Sequence, residues 1–232
     1  MNKKINYYIN IILIFAIIFS IQLYVKSIDL FKLKTINING NNFVQKNNIK
    51  DILKEYKGNS LNKLEIKKLE ENLNNHSYIK ASKIYKVLPN IIAVEIKEVS
   101  PIALFENDNQ YYFIDNQGNN IKANIDAINH FSVPIISSNS NTKNIINILN
   151  IIKSNNTKFY NIINEIQIQN KTVSFEIDKG TIIKVDQSQD YNNIYKLLSF
   201  LNTIKNNKDI TDYKYVDLTI PKQIIVKENK KI

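Results

Sequence analysis

Few side chains in this sequence have the types and spacing that catalysis or metal binding requires. The two histidines, His76 and His130, lie far apart in the chain, and the sequence around neither has the spacing of a zinc site. The chain has no cysteine, which excludes a disulfide framework, thiol catalysis and zinc–thiolate sites. Adjacent carboxylates such as Glu70 and Glu71 are typical of a solvated helix face. We therefore predict no catalytic residue, no metal site and no cofactor.

Phosphate-binding and nucleophile motifs are also missing from the sequence. The chain contains only four glycines, and none of the patterns G-x-x-x-x-G-K, G-x-G-x-x-G or G-x-S-x-G occurs. A carboxylate pair brought together by folding has no sequence motif, so a membrane-tethered hydrolase with a scattered active site stays open as an alternative. The residues favour a protein that is not an enzyme and takes no small-molecule substrate.

The net positive charge of the chain raises the question of a nucleic-acid partner. The net charge is +10, and every basic residue is lysine. A nucleic-acid-binding protein would carry such a charge, but arginine, the usual bidentate reader of guanine and phosphate, is absent. The lysines are also scattered along a chain rich in asparagine and isoleucine. This composition indicates a general bias, and we expect no nucleic-acid partner.

An uncharged apolar run, residues 9–25, follows the short polar start MNKKINYY. As a helix the run extends about 26 Å at about 1.5 Å per residue, close to the bilayer core of about 30 Å. A cleaved signal peptide is the competing interpretation, but the run is long for one and no A-x-A-like site follows. We predict a cytoplasmic segment over 1–8, an uncleaved membrane helix over 9–25 and a body outside the cytoplasm, the type II orientation.

The next seventy residues predict the order strand, helix, helix, strand, strand. Alternation predicts a strand over 33–41, and apolar residues at helical spacing predict a first helix over 49–56. A second helix follows, with Asn62 placed to cap its start and Glu65 three residues later. The runs 78–88 and 91–99 flank a Pro-Asn turn and predict a hairpin.

The spacing of apolar and polar residues changes after Ser100-Pro101. The new pattern predicts a second region with a sheet and two helices, an α+β arrangement. Residues 123–140 have no clear period and are expected to be irregular. The second of the two helices is expected to begin at a cap, Asp190. Strands are predicted at 102–106, 110–115, 120–123, 163–169, 171–177 and 181–186, and helices at 145–152 and 194–204, before two terminal strands.

The stretch LPNIIAVEIKEVSPIALF, residues 88–105, resembles the junction between the POTRA domain and the β-domain of the FtsQ/DivIB bacterial cell-division proteins. That family carries a hydrophobic strand after a Pro turn, then Glu-x-x-Pro, which Glu98 and Pro101 match here. FKLKTININGN, HSYIKASKIYKVLPN, YFIDNQGNNI and YVDLTIP resemble further segments of the same family, in the same order. Where the family often has arginine, this chain has Val99 and Thr219.

The resemblance implies a scaffold of the cell-division machinery, the divisome, anchored in the inner membrane and concentrated at the septum. It implies a POTRA domain over 28–98, a β-domain over 99–228 and a charged tail over 229–232. The POTRA domain would contact other divisome members, and the β-domain would bind FtsB/FtsL-like bitopic division proteins. A periplasmic POTRA chaperone or secretion-assembly component is the runner-up, although the chain has no room for the barrel of the multi-POTRA assembly proteins.

The last predicted strand, KQIIVK, is apolar and has no later segment to cover it. Such an edge is normally blunted, and flanking lysines do that in many proteins, but an open edge also accepts a partner strand. The resemblance implies that this strand is the docking edge. The predicted contact residues are Tyr215, Asp217, Thr219, Ile220, Lys222, Gln223, Ile224, Ile225, Val226 and Lys227.

Overall fold

A computed structural model describes residues 3–27, 29–137, 142–169, 171–186 and 191–229. The chain forms two compact units that divide between Glu98 and Val99. The first unit carries an N-terminal helix and a three-stranded sheet, and the second carries a nine-stranded sheet with helices. The predicted α+β class, with an N-terminal apolar helix, is confirmed.

The N-terminal helix, α1, runs from Lys3 to Ser27. Its segment Tyr7–Tyr24 is long and apolar enough to cross a membrane, judged by length and composition. The side chains described in this segment are exposed on all sides of the helix rather than packed along one stripe. That pattern is typical of a helix whose surroundings are themselves apolar.

The rest of the first unit has the predicted order of strand, two helices and two strands. Its elements are β1 (Thr35–Asn39), α2 (Lys46–Ile52), α3 (Ile66–Asn74), β2 (Ile79–Val87) and β3 (Ile91–Glu98). The sheet order is β1-β3-β2, with β1 parallel and β2 antiparallel to the central β3. The helices cover one face of this sheet through apolar side chains such as Ile49, Leu69 and Leu73, which are buried.

Two local expectations for the helices of this unit are wrong. The first helix ends at Ile52, and the predicted last turn is a separate 3₁₀ turn over Lys54–Tyr56. Asn62 does not cap the second helix, because it lies inside another 3₁₀ turn, Leu61–Lys63, and not in the extended conformation of a cap. That turn buries Leu61, so packing decides the local conformation over capping.

Gly40 closes the turn after β1 at a place where no other residue fits. Its φ is +81°, and a Cβ built on it would lie 2.2 Å from the main-chain oxygen of Ile96 in β3. The backbone of the turn therefore lies directly against the central strand.

The second unit contains four α-helices and nine strands among its described residues. The helices are α4 (Ile125–His130), α5 (Thr142–Asn155), α6 (Thr157–Asn161) and α7 (Asn192–Ile204). The strands are β4 (Pro101–Asn107), β5 (Gln110–Asp115), β6 (Asn120–Lys122), β7 (Ile135–Ile136), β8 (Ile163–Gln169), β9 (Thr172–Ile177), β10 (Thr181–Asp186), β11 (Tyr213–Asp217) and β12 (Ile225–Glu228).

These strands form one mixed sheet in the order β12-β11-β10-β9-β8-β7-β4-β5-β6. The pairs β10/β11, β4/β7 and β7/β8 are parallel, and the other neighbours are antiparallel. The helix α7 connects the parallel strands β10 and β11, so it must cross over one face of the sheet. Buried residues of α5, α7 and the strands form one continuous apolar core.

The second unit differs from expectation in its smaller elements. The two expected helices are present as α5 and α7, and the short α4 and α6 are added to them. The region 123–140 is not irregular throughout, since it holds α4 and the two-residue β7. Neither had a detectable period, because each is shorter than the window over which periodicity is visible. The expected cap, Asp190, lies outside the described residues.

Candidate functional site

The strand β12 lies at one end of the nine-stranded sheet and pairs with β11 alone among the described residues. Its pairing is antiparallel, with Ile225 opposite Asp217, Val226 opposite Val216 and Lys227 opposite Tyr215. Alternate residues of an antiparallel edge strand direct their N–H and C=O groups away from the sheet. All four residues of β12 are exposed. The edge thus has the geometry that addition of a further strand requires.

A tight turn carries the chain from β11 to this edge. The carboxylate of Asp217 accepts hydrogen bonds from the N–H of Thr219, at 2.9 Å, and from its hydroxyl, at 2.7 Å. This arrangement bends the backbone immediately after β11. Lys222 then adopts a left-handed conformation, with φ 61°, and the N–H of Gln223 donates to the oxygen of Ile220.

One lysine of α7 forms hydrogen bonds to that turn. The Nζ of Lys196 donates to the main-chain oxygen of Ile220, at 3.0 Å, and to that of Gln223. The side chain of Ile224, which follows at once, is partly buried against the apolar core. The start of β12 is therefore fixed by one polar clamp and one apolar contact.

A second set of contacts fixes the other end of β12. Glu228 forms an ion pair with Lys208, and hydrogen bonding to that carboxylate raises the pKa of the lysine. The N–H of Asn229 donates to the oxygen of Asp212 at 2.9 Å, and its side-chain amide donates to Thr211 at 3.2 Å. The edge is thus ordered at both ends in the isolated chain.

The face of the sheet opposite α7 carries exposed apolar side chains beside the edge. Ile182, Tyr215 and Lys227 lie side by side on adjacent strands, and Ile225 lies one row further along. Ile182 and Ile225 are 40% and 38% exposed, although both are large and apolar. A partner strand added to β12 could cover this row with its own side chains.

The ten predicted contact residues fall into three groups in the structure. Tyr215 and Asp217 belong to β11, and Ile225, Val226 and Lys227 belong to β12. The remaining five residues form the connection between the two strands: Thr219, Ile220, Lys222, Gln223 and Ile224. The prediction of a strand beginning at Lys222 is therefore wrong by three residues, because Lys222 and Gln223 complete the turn.

The junction residue Glu98 has a defined role within the first unit. Its carboxylate accepts hydrogen bonds from three consecutive backbone N–H groups, those of Asn42, Phe43 and Val44, at 2.9, 3.0 and 2.8 Å. Three converging N–H groups suit an anionic acceptor. Glu98 thus ties the loop before α2 to the end of β3.

The other junction residue, Pro101, is buried at the start of β4. Next to it, the carbonyl oxygen of Ile102 accepts a hydrogen bond of 2.9 Å from the hydroxyl of Tyr160. Burial raises the pKa of Tyr160 to about 12. The Nζ of Lys153 lies 4.7 Å from the centre of the same ring. The start of the second unit is therefore fixed by a contact from α6.

Three residues that order the edge could not be identified from the sequence: Lys196, Lys208 and Asn229. Each contacts a residue that lies 18 or more positions away in the chain, and no local pattern marks such a pair. The one usable signal was the Asp-Leu-Thr sequence at 217–219, which is compatible with a side-chain-to-backbone turn. Among the described residues, no group of three or more His, Asp or Glu side chains is placed to hold a metal ion.

Two family models match the chain in sequence order. A POTRA domain of FtsQ type matches residues 31–98, and the C-terminal region of the cell-division proteins FtsQ and DivIB matches residues 103–219. This chain belongs to the FtsQ/DivIB family. The resemblance seen in the sequence is confirmed, and the family is one of non-enzymatic division proteins. The second match ends at Thr219, so β12 lies beyond it.

Individual relatives of the FtsQ/DivIB family show the same similarity over a shorter region. The cell division protein FtsQ of Rickettsia bellii is 33% identical over 100 residues, which is 43% of this chain and 38% of that protein. DivIB of Clostridium acetobutylicum is 33% identical over 101 residues, 43% of this chain and 41% of that protein. DivIB of Bacillus subtilis is 32% identical over 111 residues, 47% of this chain and 42% of that protein. The matched region thus spans about two fifths of the length of these relatives.

A solved structure of the major extracytoplasmic domain of DivIB from Geobacillus stearothermophilus is also similar. It covers 49% of this chain and 99% of that domain, with 10% sequence identity and a TM-score of 0.34.

Proposed function

We propose that this FtsQ/DivIB homologue is a membrane-anchored scaffold that links early and late division proteins at the septum through protein–protein contacts. Its partners on this proposal are FtsB/FtsL-like bitopic division proteins, which add a strand to β12. The observation that carries the proposal is that β12, which pairs with β11 alone among the described residues, is already held at both ends, by Lys196 and by Glu228 with Asn229.

The edge strand is ordered before any partner binds, and this supports a docking role more strongly than exposure of the strand alone does. A partner strand that adds to an already ordered edge avoids the entropy cost of fixing that edge during binding. Main-chain hydrogen bonds would then supply affinity, and side chains beside the edge would supply selectivity. Ile225 and Lys227, on the face opposite α7, present one apolar and one cationic contact for that purpose.

The proposed arrangement in the cell follows from α1. We assign residues 1–8 to the cytoplasm, 9–25 to the inner membrane and the rest to the periplasm, with a POTRA domain over 28–98, a β-domain over 99–228 and a tail over 229–232. The apolar segment Tyr7–Tyr24 supports the span. The POTRA domain would contact other divisome members, and a fluorescent fusion of the full chain is expected at mid-cell.

Site-specific photo-crosslinking tests the docking edge. A benzophenone amino acid in place of Lys227 should crosslink to an FtsB/FtsL-like partner in dividing cells. The matched control replaces Asn120, an exposed residue of β6 at the opposite end of the same sheet, and should give no such product. Equal crosslinking from both positions would contradict the proposal.

A backbone substitution provides the second test. Ile225→Pro removes a main-chain N–H and restricts the strand, so partner binding should weaken about tenfold or more, equivalent to about 1.4 kcal/mol. Asn120→Pro in β6 is the control for general damage to the sheet. The docking proposal would be contradicted if an Ile225→Pro variant that unfolds as cooperatively as the parent bound its partner undiminished.

A further inference from the structure

Exposed large apolar side chains in the body of the first unit are confined to one end of it. Over residues 29–98, all of which are described, four such side chains are exposed. They are Leu30, Tyr85, Val87 and Leu88, at 42%, 47%, 44% and 64%. Three of them belong to the β2–β3 hairpin near its tip, and Leu30 precedes β1. Single exposed apolar residues need no explanation, but a cluster at one end does.

The hairpin tip is the part of the sheet that meets the chain arriving from α1. The N–H groups of Lys34 and Thr35 both donate to the oxygen of Asn90, at 2.9 and 3.3 Å. From there β1 runs parallel to β3, away from the tip. The opposite end of the sheet, at Asn39 and Glu98, carries none of the four exposed apolar side chains.

Chain length keeps this end of the sheet close to the end of α1. Five peptide steps separate Ser27 from Lys32, which span at most about 18 Å. Asp29–Phe31 forms a 3₁₀ turn, which shortens that reach. Lys32 is already part of the folded unit, since it pairs with Ser60. With α1 in a membrane, the tip must therefore lie within a short distance of the headgroups.

The charges around the tip are predominantly positive. Lys32, Lys34 and Lys86 are exposed there, and the Nζ of Lys86 donates to the oxygen of Asn62. Lys57 and Lys63 flank the segment 58–60 that is hydrogen-bonded to Leu33. Two carboxylates offset part of this charge: Asp29 forms an ion pair of 2.7 Å with Lys32, and Glu65 lies with Lys63 beside residues 58–60. Lysine beside exposed apolar and aromatic side chains is the composition that anionic membrane surfaces attract.

We propose that the β2–β3 hairpin tip, with Leu30, is a lipid-contact site that seats the first unit on the surface of an anionic bilayer. Leu88 and Val87 enter the interfacial zone, Tyr85 lies at its outer boundary, and the surrounding lysines contact lipid phosphates. The site would fix the tilt of the unit above the membrane independently of any protein partner. This inference rests on the proposed membrane anchoring of α1, and its test separates the two.

Single-tryptophan fluorescence of the full chain in vesicles tests the site, because the chain has no tryptophan of its own. The vesicles contain phosphatidylethanolamine and phosphatidylglycerol, with bromine on the acyl chains as a quencher. Leu88→Trp should lose emission and shift to the blue. Ala81→Trp is the matched control, exposed on the same strand about 20 Å from Val87, and should keep its emission.

Phe15→Trp in α1 reports the anchor separately. Quenching of Phe15→Trp without quenching of Leu88→Trp overturns the lipid-contact site and leaves the anchoring intact. No quenching at either position overturns the anchoring, and the lipid contact with it. Equal quenching of Leu88→Trp and Ala81→Trp also overturns the site, because it would mean unspecific adsorption of the whole unit.

The charge contribution has its own pair of variants. Lys34→Glu with Lys86→Glu should reduce the quenching of Leu88→Trp in anionic vesicles, and neutral phosphatidylcholine vesicles should do the same without any change in sequence. Lys97→Glu, an exposed change at the far end of β3, is the control. Full quenching of the double charge variant would contradict the role of the lysines.

Discussion

The Nζ of Lys196 lies 3.0 Å from the main-chain oxygen of Ile220, and the same ammonium also reaches Gln223. One side chain of α7 thereby binds two main-chain oxygens of the connection between β11 and β12. The contact joins a helix on one face of the sheet to the turn that leads to β12. The conformation of the edge therefore depends on a residue that is not part of it.

Removal of that ammonium should loosen the edge strand without unfolding the unit. Lys196→Met keeps the apolar stem and deletes the donors, at an expected cost of about 1 kcal/mol. Amide exchange at residues 225–228 should accelerate, while exchange in β8 and β9 stays unchanged. Lys205→Met, at the end of the same helix, is the matched control. Unchanged exchange in β12 would show that the clamp does not order the edge.

Loss of the Glu98 carboxylate should release the loop before α2. Glu98→Gln leaves one acceptor oxygen for three donors, and hydrogen bonds to charged groups are worth about 1.5–3 kcal/mol each. We expect the first unit to lose at least about 2 kcal/mol of stability and the amides of 42–44 to exchange faster. Glu95→Gln, exposed on the same strand, should change neither quantity. Equal effects of the two variants would contradict a stabilising role for the three hydrogen bonds to Glu98.

Alkaline pH should destabilise the second unit through Tyr160. Its pKa is raised by burial to about 12, above the ordinary value of 10.0, so the neutral form is favoured in the folded state. That stability is fully present below about pH 10 and is lost as the pH rises through about 12. Tyr160→Phe removes this dependence and leaves the buried oxygen of Ile102 unpaired, which costs about 1–3 kcal/mol.

Unfolding curves between neutral pH and pH 12 measure the difference between parent and variant. Tyr195→Phe is the control, because Tyr195 is an exposed tyrosine of the same unit. The free energy of unfolding of the parent should fall more steeply with rising pH than that of Tyr160→Phe. Equal slopes would rule out this role for the buried hydroxyl.

The larger elements of the fold could be predicted from the sequence because each carries its own period. The structure has the strand that the alternation of Ile36 and Ile38 predicts, and the helix that the spacing of Ile194, Leu197 and Leu201 predicts. These side chains are buried as expected. The small elements could not be predicted, because α4 and β7 are shorter than any visible period. Local capping rules failed at Asn62, where burial of Leu61 determined the conformation.

The sequence was sufficient to predict the location of the candidate site but not the contacts that order it. The apolar segment KQIIVK predicted an exposed strand, and β12 lies exposed at one end of the sheet that the described residues form. The contacts that order it could not be predicted, since Lys196 and Lys208 approach it from positions 20 or more residues earlier. The Lys196 contacts follow only from the crossover of α7, which places a helix face next to the turn, and Lys208 lies in the segment that follows this helix.

The pairing of β1 with β3 has a mechanical consequence. The chain enters this sheet at the start of β1 and leaves it for the second unit at Glu98, the end of β3. The two strands are parallel, from Thr35 opposite Ile91 to Asn39 opposite Glu95. Tension between α1 and the second unit would thus pull them in opposite directions along their length. Such a load falls on all their hydrogen bonds at once instead of opening them in sequence, so this small sheet would act as a force-bearing link.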